Sequence, residues 1–370
     1  MAKKKTIRRT VVAAFSVLLL VAALYAIGQN SFKYPCLGKG EGAETDCLER
    51  VLERAVNRKG VPEAFALLSN HRGKSSSLEV DECHLLAHLI GDKAFRLYER
   101  QGGINFGEKN DGSLCNFGFY HAFMTSFILT GRHKDADHFC ETVSLGDDNL
   151  ASSCYHGIGH GAIYTLTDDL RTTGTFSEMV AKGEEVCKKI LENDFYKTEH
   201  CMRGIYGGIS DILVFREHNM GNMSLADYYN VCSFQKEEFR PVCYQEMSVI
   251  LHAAFGEGFE ERVQFVVDSQ IENEYKKYAI DGLVSLFPAV TNNKNWQDGI
   301  KVCKSLQAEL EDLCFSALTV STYRNAPEGD AKELLEEFCA YKLLAAEEKE
   351  ECKLFITENT WQRQNLKTKS

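Results

Sequence analysis

Five of the chain's 11 histidines fall in three short stretches. His84 and His88 stand four apart in CHLLAHLIGD, His121 sits in CNFGFYHAF, and His156 and His160 stand four apart in CYHGIGHGA. An i, i+4 spacing puts two side chains on one helix face, one turn apart. It is also the spacing by which a helix offers two imidazoles to one metal ion. Asp92 follows His88 by four and extends the stripe, as a further ligand or as a group that orients one. The expected ligand set is therefore His84, His88, His121, His156, His160 and Asp92. Imidazoles with a carboxylate suit a divalent Zn, Fe, Cu or Mn ion. Three protein ligands leave a position open for water or substrate, so the set would serve a metal-binding protein or a metalloenzyme. Tyr120, Tyr155 and Asp211 are the groups that would move protons in the second case; no substrate is legible. Noncovalent haem between two axial histidines is an alternative, whereas the CxxCH attachment motif is absent.

Glycines crowd the same stretches: Gly157, Gly159 and Gly161, then Gly204, Gly207 and Gly208. Each glycine inside a helix costs roughly 1 kcal/mol relative to alanine. Close helix packing or close approach to a ligand would offset that. Gly118, Gly157 and Gly204 share one position after a cysteine, which points to packing. Gly159 and Gly161 flank His160 and are harder to assign to packing alone.

The elements that must hold these residues are marked by the cysteines. Cys-x-x-Gly recurs at Cys115, Cys154 and Cys201, with looser copies at Cys83, Cys243, Cys314 and Cys352. With a cysteine-free copy at Ala279 counted, successive copies lie 32 to 47 residues apart, the range of two-helix repeats. Cys140, Cys187, Cys232, Cys303 and Cys339 precede the later copies by 11 to 14 residues, each after a Phe or Val. The first cysteine of each pair is placed near the end of a helix A. The second falls in the opening turns of an antiparallel helix B. One copy, Val267 with Ala279, lacks both cysteines together, as disulfide partners would and unpaired metal ligands or free thiols would not. The expected bridges are Cys140–Cys154, Cys187–Cys201, Cys232–Cys243, Cys303–Cys314 and Cys339–Cys352. Cys36–Cys47 and Cys83–Cys115 are the natural assignment of the other four, for which three connectivities exist. No close CxxC pair suggests a thiolate zinc site.

The resulting fold class is all-α: an αα-hairpin repeat solenoid stapled by disulfides within the repeats. It resembles Sel1- and tetratricopeptide-type solenoids in architecture, with longer cysteine spacing than disulfide-bearing Sel1 repeats. Aligned on their glycines and histidines, the repeats place His88, His121 and His160 at equivalent points on consecutive B helices, and His84 with His156. The remaining histidines share no position and read mostly as surface or supporting groups.

Residues 11–28, VVAAFSVLLLVAALYAIG, carry no charge and follow five cations. The expectation is a cytoplasmic basic segment over 1–10, a signal-anchor transmembrane helix over 11–28 and a linker over 29–44. An extracytoplasmic helical domain follows over 45–357, with a flexible tail over 358–370. Ala26 and Gly28 have the small size a signal peptidase reads, so secretion after cleavage is the alternative. Either route leads to a periplasm, extracellular space or secretory lumen, where 14 cysteines can stay oxidised. The net charge is −11, and removing the five N-terminal cations leaves −16 for the rest. That argues against nucleic acid. It suits basic protein or peptide partners on a concave solenoid face, where a structural or pH-sensing histidine row would serve a non-enzymatic scaffold. HExxH, GxSxG and GxGxxG are all absent.

Overall fold

The computed structural model describes residues 36–355 except 40–41, 73, 75–79, 106–114, 116–117, 145–147, 174–175, 216–230, 256–257, 291–294 and 326–330. Side chains at some further helical positions, Asp211 and His252 among them, also lie outside the description. So do the basic segment, the apolar run 11–28 and the tail 358–370. Among the described residues there is no strand, and no helix is long and apolar enough to cross a membrane.

In chain order the helices are α1 (Ala43–Lys59), α2 (Val61–Arg72), α3 (Val80–Gln101), α4 (Gly118–Leu129), α5 (His133–Ser144), α6 (Asp148–Thr173) and α7 (Phe176–Ile190). They continue as α8 (Phe195–Phe215), α9 (Arg240–Phe255), α10 (Phe259–Asp268), α11 (Asn273–Val290), α12 (Trp296–Lys304), α13 (Ala308–Asn325) and α14 (Ala331–Cys339). A last helical stretch covers 346–355. Helices α1, α3, α4, α6, α8, α9, α11 and α13 form a row in which each packs on the next. The shorter α2, α5, α7, α10, α12 and α14 lie against members of that row.

Sequence pattern explains the two roles. α12 buries Trp296, Gly299, Ile300 and Cys303, one apolar stripe at helical spacing. α4 is different. It buries Gly118, Phe119, Tyr120, Phe123, Met124, Phe127 and Ile128, and it is covered by α3 on one side and α6 on the other. A helix apolar nearly all round must be enclosed. Phe123 and Phe127 meet Phe95, Tyr98 and Phe139 with ring centroids 4.7 to 6.0 Å apart, which fixes α4 in place.

The row packs through glycine. A Cβ added at Gly118 would lie 2.6 Å from the His84 carbonyl, and one at Gly157, Gly204 or Gly282 would collide with the carbonyl of Tyr120, His156 or Gln245. These contacts advance together along both chains. Gly157 meets Tyr120 while Gly161 meets Thr125 and Ile128, so α4 and α6 run parallel. Gly161 is therefore a packing residue. So is Gly159, whose missing Cβ admits the Cys201 carbonyl. Packing alone therefore accounts for both glycines that flank His160, with backbone lying over Gly159.

All seven expected disulfides are present, with Cα–Cα separations of 5.4 to 5.9 Å, and no cysteine is free. Cys83–Cys115 joins α3 to Cys115, three residues ahead of the first residue of α4. The unit without cysteines keeps the same end to its first helix. Ser269 Oγ donates to the Val266 carbonyl at 2.6 Å, as Ser305 Oγ donates to Val302 at 2.7 Å. Ala279 is fully buried where the second cysteine would be.

Candidate metal centre

Three consecutive members of the row supply the histidines. α3 carries His84 and His88, α4 carries His121, and α6 carries His156 and His160. Because the row packs through glycines, the imidazoles meet. His84, His88 and His121 offer ligand nitrogens that all lie within 4.8 Å of one another, and so do His121, His156 and His160. His121 belongs to both groups.

Within the first group, His84 Nδ1 lies 2.9 Å from the Cys115 carbonyl. A carbonyl can only accept, so Nδ1 carries the hydrogen and Nε2 presents its lone pair. That Nε2 is 3.0 Å from His88 Nε2. A carbonyl that orients the far nitrogen of an imidazole is the usual support of a metal-ligating histidine. Cys115 reaches this place with φ 56, a left-handed conformation uncommon for a residue with a side chain, and its disulfide to Cys83 ties it beside His84. The His121 ring meets His84 and His88 edge-on, at 68° and 76° and centroid distances of 5.0 and 5.5 Å. Its Nδ1 is buried with no hydrogen-bond partner among the described residues.

In the second group, His156 Nε2 and His160 Nε2 are again 3.0 Å apart. Here the His121 ring stacks on both, at 16° and 17°, with centroids 4.9 and 4.2 Å away.

Burial sets the protonation. It pulls His88 down to about 3, with His84 adding to the effect, and pulls His156 down to about 3, with Arg203 next in importance. Burial first, then neighbouring imidazoles, holds His121 and His160 well below the ordinary histidine range. Neutral imidazoles are the form that ligates a metal.

Asp92 is not brought into either group. Its carboxylate pairs with Arg96 at 3.1 Å and is 39% exposed. Each step of four residues overshoots a full helical turn by about 40°, so a stripe drawn through His84 and His88 has rotated off the site by Asp92. Tyr120 and Tyr155 are buried in the core, and Lys197 lies 5.5 Å over the Tyr155 ring. Of the other histidines, His71 is buried against Glu44 rather than at the surface. His133 lies 3.2 Å from the Ile128 carbonyl, and His138 is exposed.

The sequence reading passed over what continues the row. Arg203 pairs with Glu246 at 3.3 Å and Glu199 at 3.4 Å and donates to Gln245 Oε1; Gln245 donates in turn to Asp281. Arg203, Gln245 and Asp281 each stand two places after the repeat's cysteine position, as His156 does. Alignment on the cysteines was the signal available. Past α6 the row is a chain of matched donors and acceptors, whereas its histidine end is a cluster of neutral rings.

No protein-family model matches the chain, and neither a curated protein nor a solved structure is detectably similar to it.

Proposed function

We propose that this protein is a membrane-anchored, extracytoplasmic αα-repeat solenoid that binds a divalent transition metal through His84, His88 and His121. The observation that carries the reading is the His84–His88 pair. The Cys115 carbonyl selects the tautomer that aims the His84 Nε2 lone pair inward, 3.0 Å from His88 Nε2. A cation bonded to two imidazoles at about 2.1 Å holds their nitrogens about 3.0 Å apart at a right angle and about 3.4 Å apart at the tetrahedral angle. A spacing of 3.0 Å, which in the metal-free protein is an imidazole–imidazole hydrogen bond, is close to both values and suits Zn²⁺, Fe²⁺, Cu²⁺ or Mn²⁺. His121, edge-on to both and with a buried unpartnered nitrogen, supports a third bond.

The geometry does not favour haem. A porphyrin between two axial imidazoles would have to enter between rings whose centroids are 4.2 to 5.5 Å apart. Seven disulfides support an oxidising compartment, and the cations before the apolar run 11–28 support a signal-anchor that leaves the helical part outside the cytoplasm.

The test is elemental analysis and metal titration of the full chain in detergent. Stoichiometric metal is expected, with affinity falling at least about 10-fold to 100-fold in His84→Ala and His88→Ala. Absence of stoichiometric metal in the wild type overturns the reading. The second reading, an interaction scaffold, would then stand. It is favoured by Phe195, Phe234 and Tyr196, large side chains left exposed near the α8 start and the α8–α9 connection, and by the acidic charge.

A further inference from the structure

We infer that His156 and His160 hold a second cation in space that Gly207 leaves clear of a side chain, its remaining coordination positions taking water or a small anion. The inference rests on the metal-binding reading above and extends it from one ion to two.

The second pair repeats the geometry of the first, with Nε2 atoms 3.0 Å apart on one helix face. What differs is the third partner. His121 is edge-on to His84 and His88 but parallel to His156 and His160. An imidazole lone pair lies in its ring plane, so stacked rings do not aim theirs at one point. His121 thus serves the first cation, and the second has two protein ligands.

Gly207 decides what completes that second sphere. It stands six residues after Cys201, where His121 follows Cys115 and His160 follows Cys154. A Cβ added there would lie 3.3 Å from His156 Nε2 and 3.3 Å from His160 Nε2. A point equidistant from both nitrogens lies on the plane that bisects the pair, and a cation bonded equally to both lies on that same plane. A side chain at 207 would compete for this space. Gly118 meets the imidazoles of His84 and His88 at 3.0 Å but lies closer still to the His84 carbonyl, and Gly157, Gly159 and Gly204 are likewise nearest to backbone carbonyls; Gly207 has no backbone atom among its three nearest neighbours. The three atoms nearest the missing Cβ of Gly207 all belong to these two imidazoles.

The exchangeable ligand is small and neutral or anionic. Arg203 lies one turn before Gly207 on α8, and its charge reaches His156. Glu199 and Glu246 balance that charge, so the site tolerates a cation while keeping a positive group near an incoming anion. With two protein ligands against three, the second cation binds more weakly than the first.

Titration of the full chain with Cu²⁺, followed by azide and read by absorption and electron paramagnetic resonance, tests this. Two equivalents are expected in the wild type, the weaker one perturbed by azide. His156→Ala should retain one equivalent and lose that part of the azide response that belongs to the weaker one, the response of the tighter equivalent remaining. His88→Ala should lose the tighter one. Gly207→Ala should lose the weaker equivalent or its azide response while the melting temperature stays level or rises, because alanine is the better helix former. A wild type that binds one equivalent, lost in His88→Ala and indifferent to His156→Ala, overturns this inference and leaves the earlier reading intact. A wild type that binds none overturns both. Two equivalents with an unchanged azide response in Gly207→Ala overturn the role given to Gly207.

Discussion

Burial holds His88, His121, His156 and His160 neutral, and that has a consequence for stability. Their folded pKa values lie below the unfolded value near 6.5, at about 3 for His88 and His156 and well below the ordinary range for His121 and His160. As pH falls through 6.5 the unfolded chain takes up protons that the folded chain refuses. Stability is therefore fully present above about pH 6.5 and is lost progressively on acidification toward 3. The slope is on the order of 1 kcal/mol per pH unit for each histidine. Urea unfolding of chelator-treated protein between pH 7 and pH 5, above the carboxylate range, is expected to show this decline. His88→Ala should flatten part of it. A stability independent of pH across that window would mean that the folded rings take up protons as readily as the unfolded ones, and burial would not hold them neutral. Asp92 lies outside both groups and pairs with Arg96, so Asp92→Asn should leave metal content unchanged.

The helices of the row approach closely because specific positions lack a side chain. Gly204 faces the His156 carbonyl, a backbone group that cannot swing aside. Gly204→Ala gains roughly 1 kcal/mol of helix propensity and should still destabilise by about 1–3 kcal/mol through overpacking, read as a lower urea midpoint. The helix pairs can be tested in the unit that has no bridge. Val267 and Ala279 occupy the cysteine positions there, and the helix end at Ser269 matches that at Ser305. The double variant Val267→Cys with Ala279→Cys should form an eighth disulfide without distortion and stabilise by about 2–3 kcal/mol. Mass spectrometry finding two free thiols in that variant would show the two units to be built differently.

Across the whole molecule Cys140–Cys154, Cys187–Cys201 and Cys303–Cys314 staple α5, α7 and α12 to the row, and ion pairs such as Lys197 with Asp137 and Glu141, each at 2.8 Å, tie α8 to α5. Six of the seven bridges close loops of 11 to 14 residues. Each contributes about 3 kcal/mol by constraining the unfolded chain. Together they exceed the ~5–15 kcal/mol stability of an ordinary domain. Reduction without denaturant should lower the melting temperature sharply, and thiol blocking of the native protein should label no cysteine. Labelling at Cys140 or Cys154 would contradict the pairing.

Local pattern alone determined the helical class, the helix pairs and the bridges, because short-loop partners and helical periodicity are properties of neighbouring residues. The shared position of His88, His121 and His160 was legible for the same reason: a repeat converts sequence alignment into spatial alignment. What the tertiary structure decided depends on angles between elements that no spacing encodes. The drift of 3.6 residues per turn removed Asp92 from the site. The approach of α8 to α6 made Gly159 a packing residue and left Gly207 facing the histidines. The loop before α4 brought the Cys115 carbonyl to His84 Nδ1 and so chose its tautomer. The rotation of one ring, His121, separates two groups that the sequence shows only as five histidines.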